Sequence, residues 1–366
     1  MRILHICQRD TPDTGGSLSV ATALVQQQRA SGHEVWLLFL YGEPSHVHEA
    51  LAPHSVCLGL DSSKEALRGI FALRYEIKRI APDIIHSHDG ILWPRLAFVT
   101  VGIPIVMHSH LPVDSDAGMK DRLGKIMVKA TTNSLIGISL HTIETWVRDG
   151  YPASRIHYVP NGVDYRRFSI SDSEEKKRLR MELGLPADKH VLLWVGRLHQ
   201  AVKGTERVER IAGLLPEGMV LVVAGNGTEY EPMLERSKGL IECGKMIMAG
   251  SVSSPENYYK AADSYLFTSH REAFGLVILE AAFCGLPILA FPVTEGGGAV
   301  RLLKEFEVTM LDDNASDSTL RKTLKNAAVS SEPAIRNREV AIGKYSLEAV
   351  SERVLEVYGL CVGERL

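Results

Sequence analysis

Cysteine is scarce in this chain of 366 residues: five, at Cys7, Cys57, Cys243, Cys284 and Cys361, odd in number and never spaced C-x-x-C. That scatter excludes a disulfide framework and a cysteine-based metal site, and it points to a reducing, cytoplasmic compartment. Long apolar runs are missing too, none approaching the roughly 18 residues of a membrane-crossing helix. The opening "MRILHICQRD" places one basic residue before a short apolar run that ends in charge, the pattern of a first strand and not of a targeting segment. Basic excess is absent: the formal net charge is −3, which gives no ground for a nucleic-acid partner. Neither half carries G-x-G-x-x-G, which counts against a dinucleotide-dependent dehydrogenase.

What is present, 45% hydrophobic and 23% charged, is organised as short apolar β-rich runs alternating with helical patterns. "RILHIC", "EVWLLFL", "DIIHSH", "PIVMHSH" and "SLIGIS" are continuously apolar, as strands buried on both faces must be. The alternation pauses over the charged "SISDSEEKKRLRMELGLPADKH" and restarts with "VLLWVGR", "MVLVVAG", "KMIMAG", "SYLFTS" and "LPILAF". The expected fold is α/β, with two Rossmann-like, doubly wound parallel-sheet domains. The first spans 1–165 and takes back the closing helix, 346–366; the second spans 166–345. Pro160-Asn161-Gly162 is the expected turn between them.

Each half has a strand followed by a loop suited to an anion. In the first, Gly15-Gly16 precedes a helix, where backbone amides can approach a phosphate closely. In the second, "WVGRLHQAVKG" presents Arg197 and Lys203 at the carboxyl end of a buried strand, a planar fork and a flexible point charge that together suit a diphosphate. Further on, "SHREAFGLVILEAAFCGLP" sets Glu272 and Glu280 eight positions apart. If Gly275 opens a helix, its first amides, around Phe274-Gly275-Leu276, are free for an anion. Glu280 then sits among apolar neighbours and needs donors, which sugar hydroxyls supply. Alternatively Glu272 caps that helix and Glu280 faces solvent.

With "TGGS", "PDIIHSH", "PIVMHSH", "VPNGVDYRRF", "GRL…KG", "AGNGTE" and "HREAFGLVILEAAFCGLP" in this order, the chain resembles the retaining GT-B glycosyltransferases of family four, whose signature is E-x7-E. The resemblance covers most of the chain and implies two domains facing a cleft. It implies that Arg197 and Lys203 hold the donor diphosphate and stabilise the departing nucleotide, with Gly15, Gly16, Phe274, Gly275 and Leu276 completing the cradle. Glu280 would bind ribose, Glu272 the transferred sugar, and Ser251 and Val252 would lie against the base. His108 would contact the sugar, with His110, His86 and His88 as competitors; strand alternation places His86 and His88 on one face. The expected chemistry is front-face substitution, the departing phosphate taking the acceptor's proton, with no cofactor and no metal. There is no obvious D-x-D and no His/Cys cluster at ligand spacing. The pattern departs at "VTEGGGAVRLL", where relatives carry a G-G-[IV]-P-E-type segment.

The donor is expected to be a UDP-sugar and the acceptor a glycan, as in polysaccharide biosynthesis, a lipid-linked glycan or a small molecule. Residues 116–130 form a basic amphipathic segment that either meets the inner face of a membrane or buries its apolar side in the domain. A nucleotide-sugar 2-epimerase of the same fold and a non-catalytic nucleotide-sugar binder are the alternatives.

Overall fold

The computed structural model describes residues 1–10, 16–88, 92–113, 118–294, 297–327 and 332–363. The chain divides into two units, Met1–Gly162 with Leu347–Leu366, and Val163–Ser346.

The first unit holds seven parallel strands: β1 (Arg2–Arg9), β2 (Glu34–Tyr41), β3 (Ser55–Leu60), β4 (Ile84–Ser87), β5 (Ile105–Ser109), β6 (Ser134–Gly137) and β7 (Ile156–Tyr158), in the order β3-β2-β1-β4-β5-β6-β7. Alternation splits each central strand between two cores. Leu4, Ile6, Leu38 and Ile85 pack with Leu73, Ile77, Trp93 and Phe98 of the helices Ala66–Ile80 and Leu92–Phe98. The opposite parity, His5 and His86, reaches Gln28 and Tyr358 of the helices Gly16–Ala30 and Leu347–Gly363, which pack together. The order turns back between β1 and β4, the place where an open α/β sheet leaves a crevice at its carboxyl edge.

The second unit repeats the plan with β8 (His190–Val195), β9 (Met219–Ala224), β10 (Met246–Gly250), β11 (Ser264–Phe267), β12 (Ile288–Ala290) and β13 (Thr309–Met310), in the order β10-β9-β8-β11-β12-β13. Its core joins Leu192, Trp194, Leu221, Val223 and Leu266 to Val208, Ile211 and Leu320 from the flanking helices. Here the order turns back between β8 and β11. The strands β3, β7 and β13 escape a reading of apolar runs because β3 is half-buried and contains Gly59, while β7 and β13 have three and two residues.

Candidate active site

The turning point of the second sheet gathers the expected residues. After β8 the chain passes through Gly196 and the exposed Arg197 to a short helix, Gln200–Lys203; after β11 it runs through Thr268 to Gly275. The two loops are tied together. Thr268 Oγ1 donates to the Lys203 carbonyl at 2.6 Å, and the amides of His270 and Arg271 donate to the Val202 carbonyl. Lys203 Nζ lies 2.6 Å from Glu272 Oε2, both side chains more than four-fifths buried, so the cation and the first glutamate of the signature are one ion pair. The loop after β9 closes the third side: a Cβ at Gly225, whose φ is +150°, would collide with the Gly196 carbonyl. This explains "AGNG" physically, since only glycine lets that loop approach the arginine loop so closely.

Gly275, with φ +99°, starts the helix Leu276–Phe283, so the first-turn amides stand beside the Lys203–Glu272 pair, and Phe274 is buried at the helix entrance. Glu280 lies one turn in. Burial pushes its carboxyl up to about 7, against a hydrogen bond from Tyr259 and the fields of Arg167 and Lys203. It therefore does not face solvent. Val252 follows the end of β10, whose Gly250 carbonyl accepts from the Gly225 amide. His270 Nε2 pairs with Glu206, a contact that the sequence gave no reason to expect.

Gly15 lies outside the described residues, as does Glu295; Gly16 is the first residue of the helix Gly16–Ala30. The sequence itself corrects one expectation, since Asp114-Ser115-Asp116 spells D-x-D, also outside the described residues.

His108 belongs to the first unit and is fully buried. The expectation of no histidine cluster is corrected here: β1, β4 and β5 bring His5, His86, His88, His108 and His110 into one stack, with neighbouring ring centroids 4.4 to 5.4 Å apart. Gln28 sets the proton positions. Its Nε2 donates to the Tyr358 hydroxyl at 3.4 Å, so Oε1 accepts from His5 Nε2 at 2.8 Å. His5 Nδ1 must then accept from His88 Nε2 (2.9 Å), and His88 Nδ1 from His110 Nε2 (3.0 Å). A second chain runs from Tyr358 through His86 to His108 Nδ1, 3.2 Å from His86 Nε2. It ends at His108 Nε2, which is buried without a hydrogen-bond partner among the described residues.

Burial holds all five rings neutral, His5 and His110 lowered to about 4 and the other three well below their ordinary value. Two triads, His5/His86/His88 and His88/His108/His110, have one ring nitrogen each within 4.8 Å of one another, a donor set suited to zinc. The hydrogen-bond chain already places a proton between the facing nitrogens, and we assign the cluster no ion. His5 was legible as a polar residue inside an apolar strand. Gln28 and Tyr358 had no local signal, because 330 positions separate them.

Comparison with known proteins decides the family. Residues 14–167 match the model described as "Glycosyltransferase Family 4" and residues 175–331 that of "Glycosyl transferases group 1". A D-inositol 3-phosphate glycosyltransferase of Actinosynnema mirum is 30% identical over 76% of this chain and 72% of its own length. The chain belongs to the GT-B glycosyltransferases of family four. Another member of that name, from Xylanimonas cellulosilytica, is 32% identical over 63% of the chain, which spans 60% of that relative's length. Among solved structures, HepE of Anabaena in complex with UDP and glucose shares the GT-B fold, with TM-score 0.82, 17% identity and coverage of 98% of this chain and 100% of HepE.

Proposed function

We propose that this GT-B glycosyltransferase moves a sugar from a UDP-linked donor to a hydroxyl, with retention at the anomeric carbon. The observation that carries the reading is the convergence of Arg197, the Lys203–Glu272 pair and a helix N-terminus at the turning point of one sheet, with Glu280 one turn behind. Cations beside free amides suit a diphosphate whose charge grows as the bond to the sugar breaks. Lys203 is pre-positioned by Glu272, and Glu272 keeps its other oxygen for sugar hydroxyls. Glu280, half-protonated near neutrality, accepts from a ribose hydroxyl. The donor phosphate takes the acceptor's proton, so the residues named need only neutralise and orient. The charge work done elsewhere by a divalent cation falls here to Arg197 and Lys203. The UDP in the HepE complex supports the choice of base.

His108 enters such a reaction through backbone or neighbours, since its ring is enclosed; His110, past the end of β5, keeps exposed surface. We assign acceptor selection to the first unit. The test is incubation with a panel of nucleotide sugars and candidate acceptors, including inositol phosphates and lipid-linked glycans. Nucleotide release with a glycosylated product of retained configuration is expected. An epimerised donor, or binding without turnover, would reject the reading.

A further inference from the structure

The first unit carries a surface that its own fold leaves uncovered. The helices Ala66–Ile80, Leu92–Phe98 and Met119–Thr131 pack side by side in one layer on the sheet, so their outward faces form one surface. On the first of them Leu67, Phe71 and Tyr75, four residues apart, are 70%, 65% and 67% exposed. Leu96 and Val99 follow at the second helix, and Met119, Leu123 and Ile126, at 80%, 47% and 56%, on the third. The inward sides of these helices are already satisfied by Leu73, Ile77, Trp93 and Val128, so the exposed residues are not core that failed to pack. Exposed apolar residues are ordinary singly, but eight on adjacent helices are not. Of the expected contact segment 116–130, residues 116–117 lie outside the described residues. In the helix itself Met119, Leu123 and Ile126 are not turned into the domain.

The charge around this face separates one occupant from others. The helices Ala66–Ile80 and Met119–Thr131 carry eight Lys/Arg against two Asp/Glu, whereas the whole chain has 41 against 44. Lys78 and Arg122 are exposed beside the apolar stripe. Apolar and aromatic side chains flanked by cations fit the headgroup boundary of a lipid bilayer, where the stems enter the acyl region and the charges meet anionic headgroups. Among the described residues no helix is long and apolar enough to cross a membrane, so the contact would be a lateral one.

We propose that the face formed by Leu67, Phe71, Tyr75, Met119, Leu123 and Ile126 docks the protein on an anionic lipid surface. This assignment stands on the first unit alone and does not depend on the reaction proposed for the second. Its test is co-sedimentation of the full chain with phosphatidylglycerol–phosphatidylcholine vesicles and with phosphatidylcholine vesicles. Binding to the anionic vesicles, weakened by salt, is expected. A Phe71→Ser/Ile126→Ser double variant should bind about tenfold more weakly while its circular dichroism and melting temperature stay unchanged. Protein left in the supernatant with anionic vesicles, or a double variant that binds as wild type does, would overturn the proposal. So would a dimer in light scattering that the double variant breaks, which would make the face a self-association surface.

Discussion

Glu280 carries a conflict that can be measured at the level of one residue. Its carboxyl, raised from 4.5 to about 7 mainly by burial, still holds its proton in the folded chain at pH values where the unfolded chain has released it. As pH rises from 4.5 through 7 the folded state binds more protons than the unfolded one, so Glu280 costs stability that grows over this window, to at most about 3 kcal/mol. Glu280→Gln should therefore raise the melting temperature at pH 8 and leave it nearly unchanged at pH 4.5, while weakening UDP binding by calorimetry. Equal effects at both pH values would mean that the carboxyl is well solvated. At Lys203 the expectation is kinetic: Lys203→Ala removes a cation from the leaving group and should lower turnover by about a hundredfold or more with the fold retained. Near-normal rates would dismiss Lys203 from the reaction. Both residues were legible in the sequence because E-x7-E and the loop after "WVGR" are local patterns. The direct Lys203–Glu272 pairing was not, since it spans 69 positions.

At the scale of elements, the strands of the first unit show where reading by periodicity stops. Apolar runs placed β1, β2, β4, β5 and β6, and alternation put His86 and His88 on one face, as their stacked rings demonstrate. Nothing along the chain said that β1 would lie beside β4, with His5 opposite His86 in register. Strand order is a non-local choice, and the five-ring stack is its product. The stack has a consequence in acid. Each ring is neutral when folded but takes a proton near 6.5 when unfolded, so the unfolded state binds more protons and stability falls as pH drops from 6.5 toward 4. His5 alone accounts for about 3 kcal/mol across that window. Thermal melts should show a steep decline there, and His5→Phe should flatten it. A melting temperature independent of pH between 6.5 and 4 would show that the rings are accessible to protons. In the second unit Gly225→Ala should push the loop after β9 off the arginine loop. Nucleotide affinity would then fall about tenfold or more while the sheet persists, read by calorimetry and circular dichroism.

For the whole molecule, two units built on one plan raise the question of which binds the nucleotide. Both sheets have a turning point and both follow it with a glycine-containing loop, so topology alone does not choose. Charge does: the loops after β8 and β11 bring cations and helix amides together, while the corresponding interior of the first unit is a neutral imidazole stack. A ligand stabilises only the part of a chain that binds it, by about 2.7 kcal/mol at a hundredfold excess over its dissociation constant. Hydrogen exchange of the full chain with saturating UDP should then slow at 196–204, 224–229 and 268–276, and leave β1, β4 and β5 unchanged. Protection confined to β1, β4 and β5 would move the nucleotide to the histidine unit and leave Arg197 and Lys203 without their substrate. Protection at the predicted loops, lost in Lys203→Ala but kept in His5→Phe, would tie nucleotide binding to the second sheet's turning point.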